Sequence, residues 1–320
     1  MKPVLVLIDH DRGTVDDASL QGLAFARSCV PDAPVAAVII GGDAAPAVPG
    51  ADSIWHIRHA ELSDYAPEAW GDALHQLAVS VDPAAVVATG TERGNEVLAH
   101  AAAIADEPFA ANVVAATPPS SDDGPWEIRR TRWGGSLLED ATLTATLPIM
   151  SGALHVYEAP GAAAGEPPVS EFAPELGPEA ARTRIVDRVQ VAEGITLTTA
   201  PVVVSGGRGV GSEEGFAAIE ELAELLGAAV GCSRVVTNQG WRPHADQVGQ
   251  TGKRVAPDLY IACGISGAIQ HWVGMQAAKH VLAINTDPDA PMVTKADYAV
   301  IGDLHEIVPA IVAELRRRRS

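Results

Sequence analysis

Residues 202–227 read VVVSGGRGVGSEEGFAAIEELAELLG, and they decide the fold of the C-terminal half of this 320-residue chain. The apolar run Val202–Val204 is typical of a strand that is buried on both faces. It leads into a glycine-rich turn, after which Ser212 is placed to cap a helix with acidic residues in its first turn. The helix ends at Gly227, which suits a left-handed C-terminal cap. A strand, a glycine turn and a helix in this order predict one unit of a parallel α/β sheet.

The same alternation continues to the C-terminus. Further strands are predicted at Ala228–Val230, Leu259–Cys263, Val281–Asn285 and Tyr298–Ile301. Helices are predicted at Gly267–Met275 and Leu304–Arg316. The pattern predicts a doubly wound C-terminal domain over residues 200–320.

The N-terminal half has the same rhythm. Strands are predicted at Val4–Ile8, Pro34–Ile40, Ser53–Ile57 and Ala84–Ala88, and helices at Asp16–Cys29, Pro67–Val79 and Asn95–Ile104. This predicts a second, mostly parallel sheet with right-handed crossovers. Over residues 141–147 apolar residues alternate with threonine, which predicts antiparallel strands added at an edge.

The sequence therefore predicts an α/β chain of two domains with mostly parallel sheets. Residues 1–158 form an N-terminal, nucleotide-binding-like domain for which we expect no ligand. Residues 159–199 are rich in Pro, Gly, Ala and Glu and are predicted to be an extended linker, part of which forms a strand around Arg184–Val191. The C-terminal domain follows.

Composition excludes several classes of function. The formal net charge of −19 argues against binding to nucleic acid or anionic lipid. No apolar run reaches the length of about 18 residues that a membrane span needs. The N-terminus also lacks the apolar core of a signal peptide. We therefore expect a cytoplasmic protein without membrane insertion. Three distant cysteines argue against a disulfide framework or a zinc site, and the adjacent spacing of Asp9, His10 and Asp11 does not suit a metal.

The main functional signal is that five polar or glycine-rich loops follow predicted strands of the C-terminal domain, where doubly wound sheets bind ligands. In the first loop, Ser205–Gly209, Arg208 either reaches a diphosphate or is simply exposed. The loop is not a GxGxxG fingerprint, because Ser212 occupies the third glycine position. In the second loop, Ser233 and Arg234 follow a strand; Arg234 either lies over an aromatic ring system or is a surface residue.

The third loop spans Gln247, Val248, Gly249, Gln250, Thr251, Gly252 and Lys253. It is not a Walker A motif, because Gln247 stands where the first glycine is required and Arg254 replaces Ser or Thr. Its amide and hydroxyl groups are suited to a flat heterocycle, and the alternative is a polar turn.

The fourth loop spans residues 264–271 and consists of Gly264, Ile265, Ser266, Gly267, Ala268, Ile269, Gln270 and His271. Ser266 is placed to cap a helix whose free N–H groups favour an anion, with His271 near the same end. The fifth candidate is a pair of residues, Asn285 and Asp303, each at the end of a predicted strand. Each of them either binds a nucleoside or caps the next segment. Gly90–Gly94 in the N-terminal half is interpreted as a packing turn.

Together these motifs resemble the FAD domain of electron-transfer flavoprotein α subunits. The resemblance rests on residues 203–209, Gln247–Lys253, Ala256–Ile261, Gly264–His271 and Ala283–Asn285 followed by Asp287-Pro288, in family-like order and spacing. It is close over about residues 200–315 and looser over 1–155. Cys232 and Trp272 stand where the family leads us to expect smaller or aliphatic residues, which affects packing rather than the donor set.

The resemblance implies a role for each site residue. Arg208 and the start of the helix at Ser266–Ile269 face the diphosphate and the ribityl chain. Ser233 and Arg234 lie beside the isoalloxazine, Gln250 and Thr251 border it near N5, and His271 approaches the N1/O2 edge. The adenosine side is lined by Asn285, Asp303 and Leu304.

The resemblance also implies a function, which is to carry electrons as the FAD-binding subunit of a heterodimer rather than to act as an enzyme. The expected partners are a β subunit, acyl-CoA dehydrogenases of fatty acid β-oxidation and a membrane quinone oxidoreductase. Two alternatives stay open: the α subunit of an NADH-dependent electron-bifurcating flavoprotein, and a nucleotide-sensing module without a redox role.

Overall fold

The computed structural model describes residues 1–11, 13–121, 124–161, 166–185 and 196–319. The chain divides into two compact units, Met1–Gln190 and Val191–Ser320. The strand predicted around Arg184–Val191 lies outside the described residues from position 186 onwards.

The N-terminal unit is built on a nine-stranded sheet in the order β11-β5-β4-β1-β6-β10-β7-β8-β9. A two-stranded antiparallel ladder, β2-β3, follows β1. The strands are β1 Val4–Leu7, β2 His10–Asp11, β3 Thr14–Val15, β4 Val35–Ile40, β5 Ser53–Ile57, β6 Ala85–Thr89, β7 Phe109–Thr117, β8 Trp126–Arg132, β9 Leu137–Leu143, β10 Ile149–Gly152 and β11 Val169–Phe172.

Helices cover both faces of this sheet. They are α1 Gln21–Cys29, α2 Pro67–Val81 and α3 Glu92–Ala105. Alternate residues of each buried strand enter two separate apolar cores, one containing Phe25 of α1 and the other containing Trp70 of α2 and Leu98 of α3. Because both faces are buried, the strands are continuous apolar runs, as parallel sheets require.

The edge of this sheet is antiparallel, as the alternation of apolar and threonine residues predicts, but the strands differ from the expectation in position. β8 pairs antiparallel with both β7 and β9, and β9 ends at Leu143 before the alternation ends. β10 then inserts parallel between β6 and β7, a placement that the sequence pattern does not reveal.

The C-terminal unit is a five-stranded parallel sheet in the order β13-β12-β14-β15-β16. Its strands are β12 Val202–Gly206, β13 Ala229–Cys232, β14 Leu259–Cys263, β15 His280–Asn285 and β16 Tyr298–Ile301. Its helices are α4 Ala217–Leu226, α5 Arg234–Asn238, α6 Ile269–Met275, α7 Pro291–Lys295 and α8 Leu304–Arg319. Apolar cores lie on both faces of the sheet, one around Phe216 and the other around Tyr260.

Two predicted helix starts are wrong in detail. Residues 214–216 form a 3₁₀ turn before α4, and Ser212 Oγ accepts the Gly215 N–H at 3.3 Å, so the cap serves this turn. α6 begins at Ile269 and its N-cap is Ala268, so Ser266 does not cap it. Gly267 has φ +80°, a left-handed conformation that breaks the helix before it can reach Ser266.

The structure confirms the predicted fold class, an α/β chain with large, mostly parallel sheets. The domain limits at 158 and 200 stay a prediction. Within the predicted linker, β11 pairs in parallel with β5 and extends the N-terminal sheet. Of the helices in the described part of the chain, none is long and apolar enough to cross a membrane.

Candidate functional site

The strand order of the C-terminal unit places a crevice at its centre. The chain runs from β12 to the neighbouring β13 and then returns to β14 on the other side of β12. The loops after β12 and β14 therefore leave in opposite directions, and in open α/β sheets ligands bind at this switch point, outside the carboxyl ends of the strands.

Glycines let these two loops touch backbone to backbone. The Gly207 N–H donates to Cys263 O at 2.8 Å, and the Gly209 N–H donates to Gly264 O at 3.1 Å. A Cβ on Gly207 would stand 2.3 Å from Gly264 O, closer than atoms can approach. Gly264 has φ +63°, which also favours glycine. The glycines thus close the two loops into one wall of the crevice.

A cavity of about 640 Å³ opens at this switch point. Its volume falls within the range of roughly 300–1,000 Å³ that is typical of ligand and cofactor sites. Ten of the seventeen predicted site residues line it: Arg208, Ser233, Arg234, Ser266, Ala268, Gln270, His271, Asn285, Asp303 and Leu304. They come from the loops after all five strands of the sheet, so the predicted convergence on one cavity holds for these residues.

The other seven predicted residues are not part of the cavity lining: Gln247, Val248, Gly249, Gln250, Thr251, Gly267 and Ile269. In the loop of residues 247–253, Gln247 accepts a hydrogen bond from Thr237 at 2.7 Å and donates to Thr251 Oγ1 at 3.0 Å. The Gln250 N–H donates to Gln270 O at 2.7 Å. The loop is thus anchored beside the start of α6, and its contact with the flavin stays a prediction.

Two arginines give the cavity positive charge. Arg208 lies in the 3₁₀ turn after β12, and Arg234 is the first residue of α5, for which Ser233 is the N-cap. Both guanidinium groups are exposed, and among the described residues neither has a carboxylate partner within ion-pair distance. Both are therefore available to an anionic ligand.

Asn285 and Asp303 make capping hydrogen bonds and also line the cavity, whereas nucleoside binding by either residue stays a prediction. Asn285 Nδ2 donates to Ile265 O at 3.0 Å, while its Oδ1 accepts the Asp287 N–H at 3.1 Å. Asp303 Oδ1 accepts the His305 N–H at 2.9 Å at the start of α8. These bonds fix two polar side chains in the cavity wall.

His271 is the buried titratable group of the cavity. Its Nε2 lies 2.9 Å from the Tyr260 hydroxyl, whereas its Nδ1 is buried without a hydrogen-bond partner among the described residues. Burial lowers the pKa of His271 to about 4, with the backbone of Val248 opposing the shift. The imidazole is therefore neutral at physiological pH, and its Nδ1 is free to bond a ligand in the cavity.

Sequence reasoning missed several lining residues. Val235 and Asn238 belong to α5, a short helix whose β-branched residues give no helix signal. Thr286 and Gly302 directly follow strands, so the strand-end rule could have found them. Gly209, Gly264 and Ile265 lie in loops that the sequence singled out but were not named as site residues, and the remaining two are Asp287, which belongs to a quoted motif, and Ala290. Tyr260 was missed as a site neighbour because a tyrosine within an apolar strand is indistinguishable from a core residue.

The N-terminal unit has a smaller feature at its own strand ends. Thr91 caps α3 and donates to Asp9 Oδ2 at 2.5 Å, while Asp9 Oδ1 is buried without a partner among the described residues. Burial raises the pKa of Asp9 to about 6. The adjacent cavity is only about 20 Å³. In the part of the chain that the structure describes, no three His, Cys, Asp or Glu side chains gather at a point that could hold a metal ion.

These features define the class of protein. A parallel sheet with the flavodoxin-like order 2-1-3-4-5 carries a cofactor-sized cavity at its switch point. Its glycine turns allow close backbone approach, and its two arginines, which no described carboxylate pairs with, suit a phosphate. The C-terminal unit is therefore a nucleotide-cofactor-binding α/β domain.

Comparison with known proteins identifies the family. Residues 4–176 match the electron transfer flavoprotein domain, and residues 196–276 match the electron transfer flavoprotein FAD-binding domain. The electron transfer flavoprotein subunit alpha of Mycobacterium tuberculosis is 37% identical over the full length of both chains. That of Thermoanaerobacterium thermosaccharolyticum is 35% identical over 84% of this chain and 82% of its own length. The chain belongs to the electron transfer flavoprotein alpha subunit family, and its cofactor is FAD.

Proposed function

We propose that this chain is the FAD-binding α subunit of a heterodimeric electron-transfer flavoprotein that carries electrons from acyl-CoA and related dehydrogenases to a membrane quinone reductase. The observation that carries the proposal is the coincidence of the switch-point cavity with the segment that matches the FAD-binding domain. FAD supplies the redox chemistry, because its ring accepts and releases electrons one at a time. The protein supplies binding, orientation and electrostatics.

Most of the predicted site residues have a proposed contact. Arg208 and the turn of residues 266–269 hold the diphosphate and the ribityl chain. Ser233 and Arg234 lie beside the isoalloxazine, with His271 at its N1/O2 edge. Asn285, Asp303 and Leu304 hold the adenosine. Gln250 and Thr251 approach N5 from the anchored loop.

The charges of the site favour electron uptake. An electron adds negative charge to the flavin, and Arg234 is a cation without a carboxylate partner among the described residues. His271 is neutral, and its Nδ1 has no hydrogen-bond partner among the described residues. It therefore offers the flavin a hydrogen-bonding group without a buried charge that would have to be removed from water. Both groups interact more strongly with the reduced than with the oxidised ring, and the potential rises accordingly.

Replacing Arg234 tests this electrostatic role. If Arg234 favours the reduced flavin about tenfold, Arg234→Ala lowers the one-electron midpoint potential by about 59 mV. Arg242→Ala is the matched control, since the Arg242 guanidinium is already paired with Glu220 and Asp246. An unchanged potential in fully loaded Arg234→Ala protein would reject the role.

The proposed partner is an electron-transfer flavoprotein β subunit, which completes the flavin pocket and holds AMP. The net charge of −19 suits electrostatic steering towards basic patches on dehydrogenases. A cytoplasmic location stays a prediction, since one relative, from rice, carries the name mitochondrial.

The FAD content of the purified heterodimer tests the function. One FAD per dimer supports the carrier if its visible spectrum bleaches with dithionite and also with an acyl-CoA plus its dehydrogenase, the acyl-CoA being oxidised to the enoyl-CoA as the flavin is reduced. Two FAD per dimer and reduction by NADH would replace it with the bifurcating alternative. A colourless complex that does not take up FAD would refute both and favour a nucleotide-sensing module.

A further inference from the structure

A buried tyrosine lies behind the cavity histidine. Tyr260 stands in the middle of β14 with none of its surface exposed, and its hydroxyl lies 2.9 Å from Nε2 of His271 in α6. The two rings are tilted, with centroids 6.1 Å apart. Tyr260 does not line the cavity, so it can act on a ligand there only through His271.

The direction of this hydrogen bond follows from burial. Burial raises the pKa of the Tyr260 hydroxyl well above its ordinary value, so the hydroxyl keeps its proton and requires an acceptor. The other polar groups around it are Ser205, Cys232 and Cys263. Ser205 lowers the pKa of Tyr260, so it acts as a donor towards the phenol oxygen rather than as an acceptor, and a thiol is a weak acceptor. His271 Nε2 is the acceptor with suitable geometry.

The protonation of the imidazole follows in turn. His271 is neutral at physiological pH, and a neutral imidazole carries one donor and one acceptor nitrogen. If Nε2 accepts from Tyr260, the ring proton is on Nδ1. The backbone of Val248 also favours a proton on the ring, although it makes no hydrogen bond of normal geometry with Nδ1.

We infer that Tyr260 is a positioning residue for the cofactor: by donating to Nε2 it fixes His271 as the Nδ1–H tautomer, so that Nδ1 is the nitrogen that donates to the flavin. This rests on the proposed placement of FAD in the cavity. Among the described residues Nδ1 has no hydrogen-bond partner of normal geometry, and it belongs to a side chain that is only 7% exposed and lines the cavity. A buried donor without a partner is destabilising, and an acceptor atom of the cofactor would remove that cost.

The opposite tautomer would work against the cofactor. With the proton on Nε2, Nδ1 would present a lone pair to a flavin edge that gains negative charge on reduction, which is repulsive. A second residue that fixes the tautomer of a functional histidine is a common device at metal sites and in catalytic triads. Here the same device would tune a redox potential.

The experiment is ¹⁵N NMR of histidine-labelled, FAD-loaded heterodimer, with the His271 signals assigned from a His271→Gln sample. In wild-type protein we expect Nδ1 to have the shift of a protonated nitrogen and Nε2 that of an unprotonated one. Tyr260→Phe removes only the hydroxyl, so both tautomers become populated. The preference for reduced over oxidised flavin falls three- to tenfold, the latter being about 59 mV for one electron.

Tyr157→Phe is the matched control. It removes a hydroxyl that donates to Val114 O at 2.7 Å in the N-terminal unit, and it should leave both the tautomer and the potential unchanged. A wild-type spectrum with the proton on Nε2 overturns the inference even if Tyr260→Phe fails to fold. So does a folded, loaded Tyr260→Phe protein with an unchanged tautomer and potential. A heterodimer that takes up no FAD would instead refute the proposed function, and the tautomer measured without flavin would still report on the pair.

Discussion

Substitution of Gly207 by alanine should break the contact between the two loops that form the cavity wall. The added Cβ would stand 2.3 Å from Gly264 O and 2.8 Å from both Gly264 C and Ile265 Cα. Ordinary van der Waals contact begins near 3.4 Å, so the loops must separate by about 1 Å. The clash involves backbone, which no side-chain rotation can relieve.

The cost can be worked from the contacts that are lost. Separation breaks the Gly207 N–H to Cys263 O and Gly209 N–H to Gly264 O bonds, each worth about 1 kcal/mol, and overpacking adds about 1–3 kcal/mol. We expect unfolding of the C-terminal unit to require about 3–5 kcal/mol less free energy. A cofactor wall misplaced by about 1 Å should weaken FAD binding on the order of 100-fold, or about 2.7 kcal/mol.

The assay is titration of deflavinated heterodimer with FAD, followed by flavin fluorescence, together with urea unfolding. Gly161→Ala is the matched control, because a Cβ there meets no atom within 4 Å and the backbone is not in the left-handed region. If Gly207→Ala binds FAD within threefold of wild type and unfolds at the same urea concentration, the loops are not held as described and the reasoning fails.

Three further predictions concern buried titratable groups. Burial lowers the pKa of His271 from 6.5 to about 4. Its contribution of about 3 kcal/mol to the free energy of unfolding is therefore present above pH 6.5 and is lost as the pH falls towards 4. Flavin-free His271→Asn protein, unfolded with urea over this pH range, should lack that loss. For Asp9 the pH dependence of stability has the opposite sign, because burial raises its pKa from 3.8 to about 6. The free energy of unfolding should fall by about 3 kcal/mol as the pH rises through that window. The same fall with pH in Asp9→Asn protein would disprove this assignment. Burial raises the pKa of the thiols of Cys29, Cys232 and Cys263 to about 12, so iodoacetamide at pH 8 should label none of them until urea unfolds the chain, and rapid labelling of native protein would contradict their burial.

Strand positions follow from local sequence where both faces of a strand are buried. The prediction for Leu259–Cys263 matches the structure residue for residue, and four of its five residues are buried. The limits of Ser53–Ile57 and Tyr298–Ile301 are also predicted correctly, although Tyr298–Ile301 is an exposed edge strand whose limits follow from the turn residues around it. The edge of the N-terminal sheet was less predictable. β10 follows β9 in sequence but pairs with β6 and β7, and such non-local pairing depends on the rest of the sheet rather than on local pattern.

The candidate site shows the same limit. The rule that ligands bind at strand ends found the loops after all five strands of the C-terminal sheet, because that rule depends only on strand direction. It could not tell that the amide of Gln247 would turn towards Thr237 and Thr251 rather than towards the cavity, since that choice depends on neighbours brought together by folding. It also could not show that Tyr260 supports His271 from behind, because strand and helix meet only in the tertiary structure.

The sheets of both units have a switch point in their strand order, but in the described part of the chain only the C-terminal one carries a cofactor-sized cavity. In the N-terminal unit the chain runs from β1 to β4 and β5, then crosses to β6, so the ends of β1 and β6 form a switch point like that between β12 and β14. There His10 Nε2 donates to Ile40 O at 2.8 Å, and the ring stacks on Trp70 with centroids 5.9 Å apart. Arg93 lies over the ring of Tyr65.

These side chains leave a cavity of only about 20 Å³, enough for roughly one water molecule, where the C-terminal unit has about 640 Å³. The contrast lies in residue size: Gly207 and Gly209 stand at the C-terminal switch point, and His10, Trp70 and Arg93 stand at the N-terminal one. Topology therefore determines where a cofactor can bind, whereas the side chains at the strand ends determine whether it does. This is the physical ground for predicting that FAD binds to the C-terminal unit and that the N-terminal unit takes no ligand of its own.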